Sequence, residues 1–172
     1  PADIIQGIED PSINLTQELM KRCDLVIATG GRPMVKSAYS SGVPAYGSGA
    51  GNATVIIDNT CNTPEYQAEA ASNTRISKCS DFGSGCSCDG NLIISAEIYD
   101  DFVKALVNEG AYLANEEEAE KLKNVMWDET GHRLPNTVAI SPQKLAEAAG
   151  FTIPDDRKFI AVTGGGMEGV GK

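Results

Sequence analysis

Apolar positions along the chain recur in two rhythms. Leu15, Leu19 and Met20 fall on one face of a short helix over residues 13–20 that Asn14 could cap. Residues 24–29, Asp-Leu-Val-Ile-Ala-Thr, form a continuous apolar run after a polar start, the pattern of a buried parallel strand. The run stops at Gly30-Gly31, and Pro33 suits the first turn of a helix over residues 33–41 because its missing N–H costs nothing there. Residues 43–46 and 53–58 read as further strands around the glycine-rich stretch 47–52. Thr63-Pro64 opens a helix running to about Lys78, and residues 92–95 return to strand. Ile98, Phe102, Ala105 and Leu106 repeat at helical spacing up to Gly110. Asn115 caps a charged helix to about Asp128, residues 137–140 read as a strand, Ser141-Pro142 opens a helix ending at Gly150, and residues 159–163 form a last strand. Strand and helix alternate without repeats, which predicts an α/β protein: a mixed sheet with flanking helices.

At 172 residues the chain can bury a core without staples. Fourteen Lys and Arg against 24 Asp and Glu leave a formal charge of −10. That balance argues against nucleic acid or an anionic membrane as the main partner. No apolar run approaches the ~18 residues of a membrane helix, and residues 1–20 lack the layout of a signal peptide. Five cysteines without stapled spacing suggest reduced thiols and a cytoplasmic setting. The start at Pro1 and the glycine-rich end over 164–172 suggest a piece of a longer polypeptide.

The segment 82–91, Phe-Gly-Ser-Gly-Cys-Ser-Cys-Asp-Gly-Asn, puts two thiols in a glycine-rich loop before a buried strand. A rigid sheet would hold such a thiol while leaving it reachable, and the glycines would let donors crowd the sulfur. The plain alternative is a pair of small loop cysteines with no role. Cys79, Cys86 and Cys88 lack the paired spacing of structural zinc, so no metal is expected. His132, the only histidine, lies in a polar turn and reads as an exposed loop residue. Thr29-Gly30-Gly31 ends a strand and opens a helix, where a phosphate or dinucleotide could sit, although glycine is as often structural there.

Taken in order, these segments resemble the aldehyde dehydrogenase superfamily, most closely its coenzyme A-acylating branch. Residues 25–45 are similar to the family's stretch at the nicotinamide side of the cofactor, and Gly47 to Ala53 follows at the family's distance. Phe82 stands six residues before Cys88, as the family's phenylalanine stands before its nucleophile, and the similarity continues through residues 139–154. The resemblance implies that residues 1–51 end a Rossmann-like NAD-binding domain and that 52–172 begin the catalytic domain. It implies Cys88 as nucleophile, Cys86 falling on a variable position, with Thr29, Gly30, Gly31, Gly47 and Gly49 against the cofactor.

The implied chemistry is thiolate attack on a small aldehyde, hydride transfer to NAD, and passage of the acyl group to coenzyme A. Gly47 stands where hydrolysing members carry a water-activating glutamate, so the glycine would bias the acyl-enzyme toward thiol transfer and open room. The resemblance also implies a homo-oligomeric full-length protein in the cytoplasm or inside a bacterial microcompartment, of which this chain is a fragment with little activity alone. Sulfoacetaldehyde, acetaldehyde and propionaldehyde all lie within the branch's range. Two departures stand out. The family follows its nucleophile with a small residue, Ser, then Glu, whereas Cys88 is followed by Asp89-Gly90-Asn91, and Gly83-Ser84 replaces Asp-Asn. A carboxylate at Asp89 facing the sulfur would oppose its ionisation. Those departures keep two alternatives open, a degenerate non-catalytic module acting in assembly and a hydrolytic relative.

Overall fold

The computed structural model describes residues 4–49 and 51–164. It divides into two units at the Gly51/Asn52 junction. Ala50 and the glycine-rich end from residue 165 lie outside the described residues.

In the first unit, α1 spans Ile13–Met20. Its cap is Ser12 rather than Asn14: the Ser12 Oγ accepts from the Leu15 N–H at 3.1 Å, and Asn14 already lies inside the first turn. β1 (Val26–Thr29) is joined to the parallel β2 (Ala45–Ser48) through α2 (Arg32–Tyr39). The order β1, α2, β2 is a compact crossover unit. Met20, Val26, Ala28 and Ala38 form its small core, while Ile27 and Tyr46, on the opposite strand face, stay exposed.

In the second unit, β3 (Ala53–Ile57) pairs in parallel with β4 (Asp89–Ile94). Their crossover is α3 (Pro64–Cys79), started by Pro64 and capped by Thr63, whose Oγ1 accepts from the Tyr66 N–H at 3.3 Å. α4 (Tyr99–Asn108) packs across α3 and places Phe102, fully buried, among Ile57, Ala71, Ile98, Leu106, Ala111 and Phe159. α5 (Glu116–Met126) begins with a reciprocal capping box between Asn115 and Glu118, so two otherwise orphaned N–H groups find partners. α6 (Pro142–Ala148) is capped by Ser141.

The α/β class is as the pattern predicts, and the described strands pair two by two, all in parallel. Two local expectations change. Residues 137–140 form no strand. Pro135–Thr137 is a single 3-10 turn, Arg133 donates to both Thr137 Oγ1 (2.9 Å) and Thr137 O (2.7 Å), and Ala139 takes φ +54°. With that carbonyl taken and the chain turned left-handed, no ladder can run through the segment. The strand not foreseen is β5 (Ala111–Ala114), which pairs with β6 (Phe159–Val162). Gly110, at φ +98°, makes the turn from α4 into it, and its carbonyl accepts from the Lys158 N–H at 2.8 Å. No helix among the described residues is long and apolar enough to cross a membrane.

Candidate active site

The thiol loop leaves the C-terminal end of α3 and re-enters the sheet at β4. Its path turns back sharply because three consecutive residues take positive φ: Asp81 (49°), Phe82 (49°) and Gly83 (72°). For the two residues with side chains that conformation costs on the order of 1–3 kcal/mol each, and it survives only where the surroundings enforce it. The Ser84 N–H donates to the Asp81 carbonyl and the Ser84 hydroxyl to the Asp81 carboxylate, closing this first turn. A second turn follows at once. The Cys88 N–H donates to the Gly85 carbonyl at 3.1 Å, which leaves Cys86 and Ser87 at its tip.

The two thiols are therefore unlike. Cys86 is exposed, and Cys88 is half-buried. The Cys88 Sγ–H donates to the Gly83 carbonyl at 3.3 Å, and the Lys78 Nζ stands 3.9 Å from the same sulfur. Lys78 reaches it from the last turn of α3 by passing over Gly83, where a Cβ would come within 3.3 Å of its Cε and Nζ. Its approach to the sulfur depends on the left-handed turn between them. The Asp89 carboxylate has a partner on α3: its Oδ1 accepts from the Ser77 hydroxyl at 2.9 Å, and the Asp89 N–H donates to the Ser77 hydroxyl oxygen at 3.0 Å. The acidic neighbour is thereby tied to α3.

The remaining thiols are placed for packing. Burial pushes the Cys79 thiol up, against partial relief from Arg75, Lys158 and Lys78. Its Sγ donates to the Lys158 carbonyl at 3.5 Å. Cys61 is likewise pushed up, by burial first and by the Asp58 carboxylate second. His132 is 82% exposed and belongs to its own turn. Asp128 Oδ1 accepts from the Thr130 hydroxyl and from the N–H groups of Thr130 and His132, and these bonds hold the Asp128 carboxyl below the usual range. Among the described residues no group of three or more His, Cys, Asp or Glu side chains could hold a metal ion.

In the first unit, the five residues expected against a cofactor meet at the carboxyl edge of the β1–β2 pair. The register aligns Ala28 with Gly47 and Thr29 with Ser48, and the Gly30 N–H donates to the Ser48 carbonyl at 3.1 Å. Gly31 is the N-cap of α2 and Gly49 follows the end of β2. Gly49 has no heavy atom within 4 Å of where a Cβ would stand. An open groove of about 750 Å³ runs along this edge, lined by Arg32, Val35, Lys36, Tyr39 and Gly49. Gly47 differs from the expectation of open room. A Cβ there would meet Val35 Cγ1 at 2.7 Å and Tyr39 Cε2 at 2.9 Å. The Gly47 N–H donates to the Tyr39 hydroxyl at 3.1 Å. The glycine lets the helix close onto the strand, and the space beside it is filled.

No family model matches the chain. It is 41% identical over 168 residues to sulfoacetaldehyde dehydrogenase from an Acholeplasma species, covering 95% of this chain and 34% of that protein. With the acetylating succinate-semialdehyde dehydrogenase of Clostridium kluyveri it shares 40% identity over 167 residues, 96% of this chain and 36% of that one. An acetylating aldehyde dehydrogenase structure from Geobacillus thermoglucosidasius superposes with a TM-score of 0.82 at 38% identity, over 88% of this chain and 33% of the other. A Rhodopseudomonas palustris propionaldehyde dehydrogenase solved with bound propionyl-CoA gives 0.77 at 28% identity, over 90% of this chain and 34% of that chain. An engineered glycolyl-CoA reductase with bound NADP+ gives 0.80 at 27%, over 90% and 35%. The chain spans about a third of the length of these two curated relatives. Over nearly all of its own length it is similar, in sequence and in fold, to a part of acetylating aldehyde dehydrogenases.

Proposed function

We propose that the polypeptide to which this chain belongs oxidises a small aldehyde to its acyl-CoA through a thioester on the 80–88 loop. The observation that carries this reading is a strained, glycine-rich turn presenting two thiols within a chain 40% identical to an acetylating succinate-semialdehyde dehydrogenase. A thiolate suits both halves of the reaction. It adds to a carbonyl readily, and it leaves readily when a second thiol attacks the resulting thioester. NAD, when bound, supplies the hydride acceptor.

The chain's own groups fit that cofactor at the β1–β2 edge. Gly31 starts a helix whose positive dipole end favours an anion, Gly49 leaves open space, and Arg32 and Lys36 bring positive charge to the groove. Thr29 and Gly30 complete the edge, and residues 1–51 then serve as the end of the cofactor domain, with 52–172 opening the catalytic domain. A cytoplasmic homo-oligomer using NAD and coenzyme A is the form this reading takes for the full-length protein.

Of the two loop thiols, exposure favours Cys86 as the attacking sulfur. It sits at the tip of its turn, whereas Cys88 is half-buried and its Sγ–H is engaged with the Gly83 carbonyl, a bond that attack would have to break. The residues after Cys86, Ser87-Cys88-Asp89, also lie nearer the small, Ser, acidic order that the resemblance implies than do those after Cys88. The second reading keeps Cys88 as nucleophile, and Lys78 within 3.9 Å of its sulfur favours it. The role proposed for Gly47 rests on its packing, not on open room. Val35 and Tyr39 occupy the place beside it, and that packing withholds a site for a water-activating base.

The test uses the full-length enzyme with a small aldehyde, NAD and coenzyme A, and follows acyl-CoA formation in C86S and C88S. Activity lost in C86S and retained in C88S supports the first assignment; the reverse pattern supports the second. Activity retained in both single variants and in the double variant contradicts the thioester itself. A wild-type enzyme that makes free acid instead of acyl-CoA would favour a hydrolytic relative, and one that folds and turns over no aldehyde would favour an assembly module.

A further inference from the structure

We infer that Cys86 and Cys88 form a dithiol oxidation site, at which a hydroperoxide oxidises Cys86 and Cys88 resolves the product into a reversible disulfide. This chemistry needs only the two thiols and stands apart from the acyl-transfer reading.

Three features of the loop carry it. First, the Cys88 N–H to Gly85 carbonyl bond closes a tight turn over residues 85–88. Two residues in extended chain span about 7 Å. A turn shortens that span toward the roughly 4.4–6.8 Å Cα separation a disulfide accepts. Gly85 has no heavy atom within 4 Å of its Cβ position, so the turn has space in which to adjust. Second, the pair is asymmetric in the sense a resolving mechanism requires. Cys86 is open to a small oxidant, and Cys88, at the foot of the same turn, is half-buried. Third, Lys78 Nζ lies 3.9 Å from the Cys88 sulfur, so the negative charge that sulfur carries as it attacks has a cation beside it.

The steps balance with a hydroperoxide as the oxidant. The Cys86 thiolate attacks the peroxide: an S–O bond forms, the O–O bond breaks, and the alkoxide leaves and takes up a proton. Cys86 is now a sulfenic acid. The Cys88 thiolate attacks its sulfur, the S–S bond forms, the S–O bond breaks, and hydroxide leaves as water. Two thiols and one hydroperoxide give one disulfide, one alcohol and one water. A thiol reductant returns the disulfide to two thiols by exchange and is itself oxidised to a disulfide. Cys79 is the poorer partner because burial pushes its thiol up and the left-handed turn over residues 81–83 separates it from Cys86.

The experiment treats the full-length protein with hydrogen peroxide, blocks free thiols with iodoacetamide and maps the peptides of residues 1–172 by mass. Loss of two of the five thiols, both at Cys86 and Cys88 within one chain, with full recovery in dithiothreitol, is the expected result. In C88S, whose folding is checked by thermal unfolding against wild type, Cys86 should accumulate as a dimedone-reactive sulfenic acid and pass on to sulfinic acid. In C79S the wild-type disulfide should persist. The proposal is overturned if Cys86 and Cys88 both stay alkylatable after peroxide. It is equally overturned if Cys86 pairs with Cys79 or with another chain, or if C88S oxidises no further than wild type.

Discussion

Two glycine-dependent regions of the molecule use the residue for opposite purposes. At the β1–β2 edge, Gly47 is there because nothing larger fits: α2 lies on the strand with Val35 and Tyr39 under 3 Å from where a Cβ would stand. In the thiol loop, Gly83 supplies a positive φ, and Gly85 has empty space around it. The first region is a packed contact and the second is a shaped, adjustable turn. A glycine-rich stretch in sequence announces neither. The surrounding atoms separate a structural constraint from a place where a reactive group can be presented.

Substitutions can break this contrast in order of size. The reference is Phe102→Ala, which empties the main core beside the loop's supporting helix and should cost about 3–5 kcal/mol in chemical denaturation. Next comes Gly47→Ala, which overpacks the α2–β2 contact and should cost about 1–3 kcal/mol, read on the same scale. The larger Gly47→Glu should be worse, so a gain in free-acid product from it would require the helix to move. Gly85→Ala should change stability by no more than about 0.5 kcal/mol, since its φ is not left-handed and the space is open. Equal losses at Gly47 and Gly85 would erase the distinction.

The smallest effect concerns the thiols and pH. Burial raises the folded-state pKa of Cys79, so the native state prefers its neutral thiol. The associated stability is complete below the unfolded thiol value, about 8.5, and is lost as pH rises through that value toward the folded one. Cys79→Ala should flatten this alkaline decline in a series of unfolding curves. At neutral pH, iodoacetamide should also reach Cys86 before Cys79 or Cys61, because both of the latter are pushed up by burial.

Much of the architecture was legible because its determinants are local. Thr63, Asn115 and Ser141 cap helices through their own side chains, and Pro64 and Pro142 set first-turn geometry. The misplaced strands were decided elsewhere. Ala-Tyr-Leu-Ala over 111–114 carries little β-propensity and becomes β5 only because β6 returns beside it, whereas 137–140 carries good propensity and loses to the Arg133 bonds at Thr137. At the site, the loop and its thiols were visible as sequence. Which thiol faces solvent, and that Lys78 reaches Cys88, follow from three positive φ angles that composition does not reveal.

The central claim is that the turn at 85–88 carries the acyl group. Incubating the full-length enzyme with acetyl-CoA, quenching in acid and mapping the acylated peptide addresses it directly. One acetyl group per chain is expected, on Cys86, removable by added coenzyme A. An acetyl group on neither Cys86 nor Cys88, in an enzyme that still interconverts aldehyde and acyl-CoA, would contradict it.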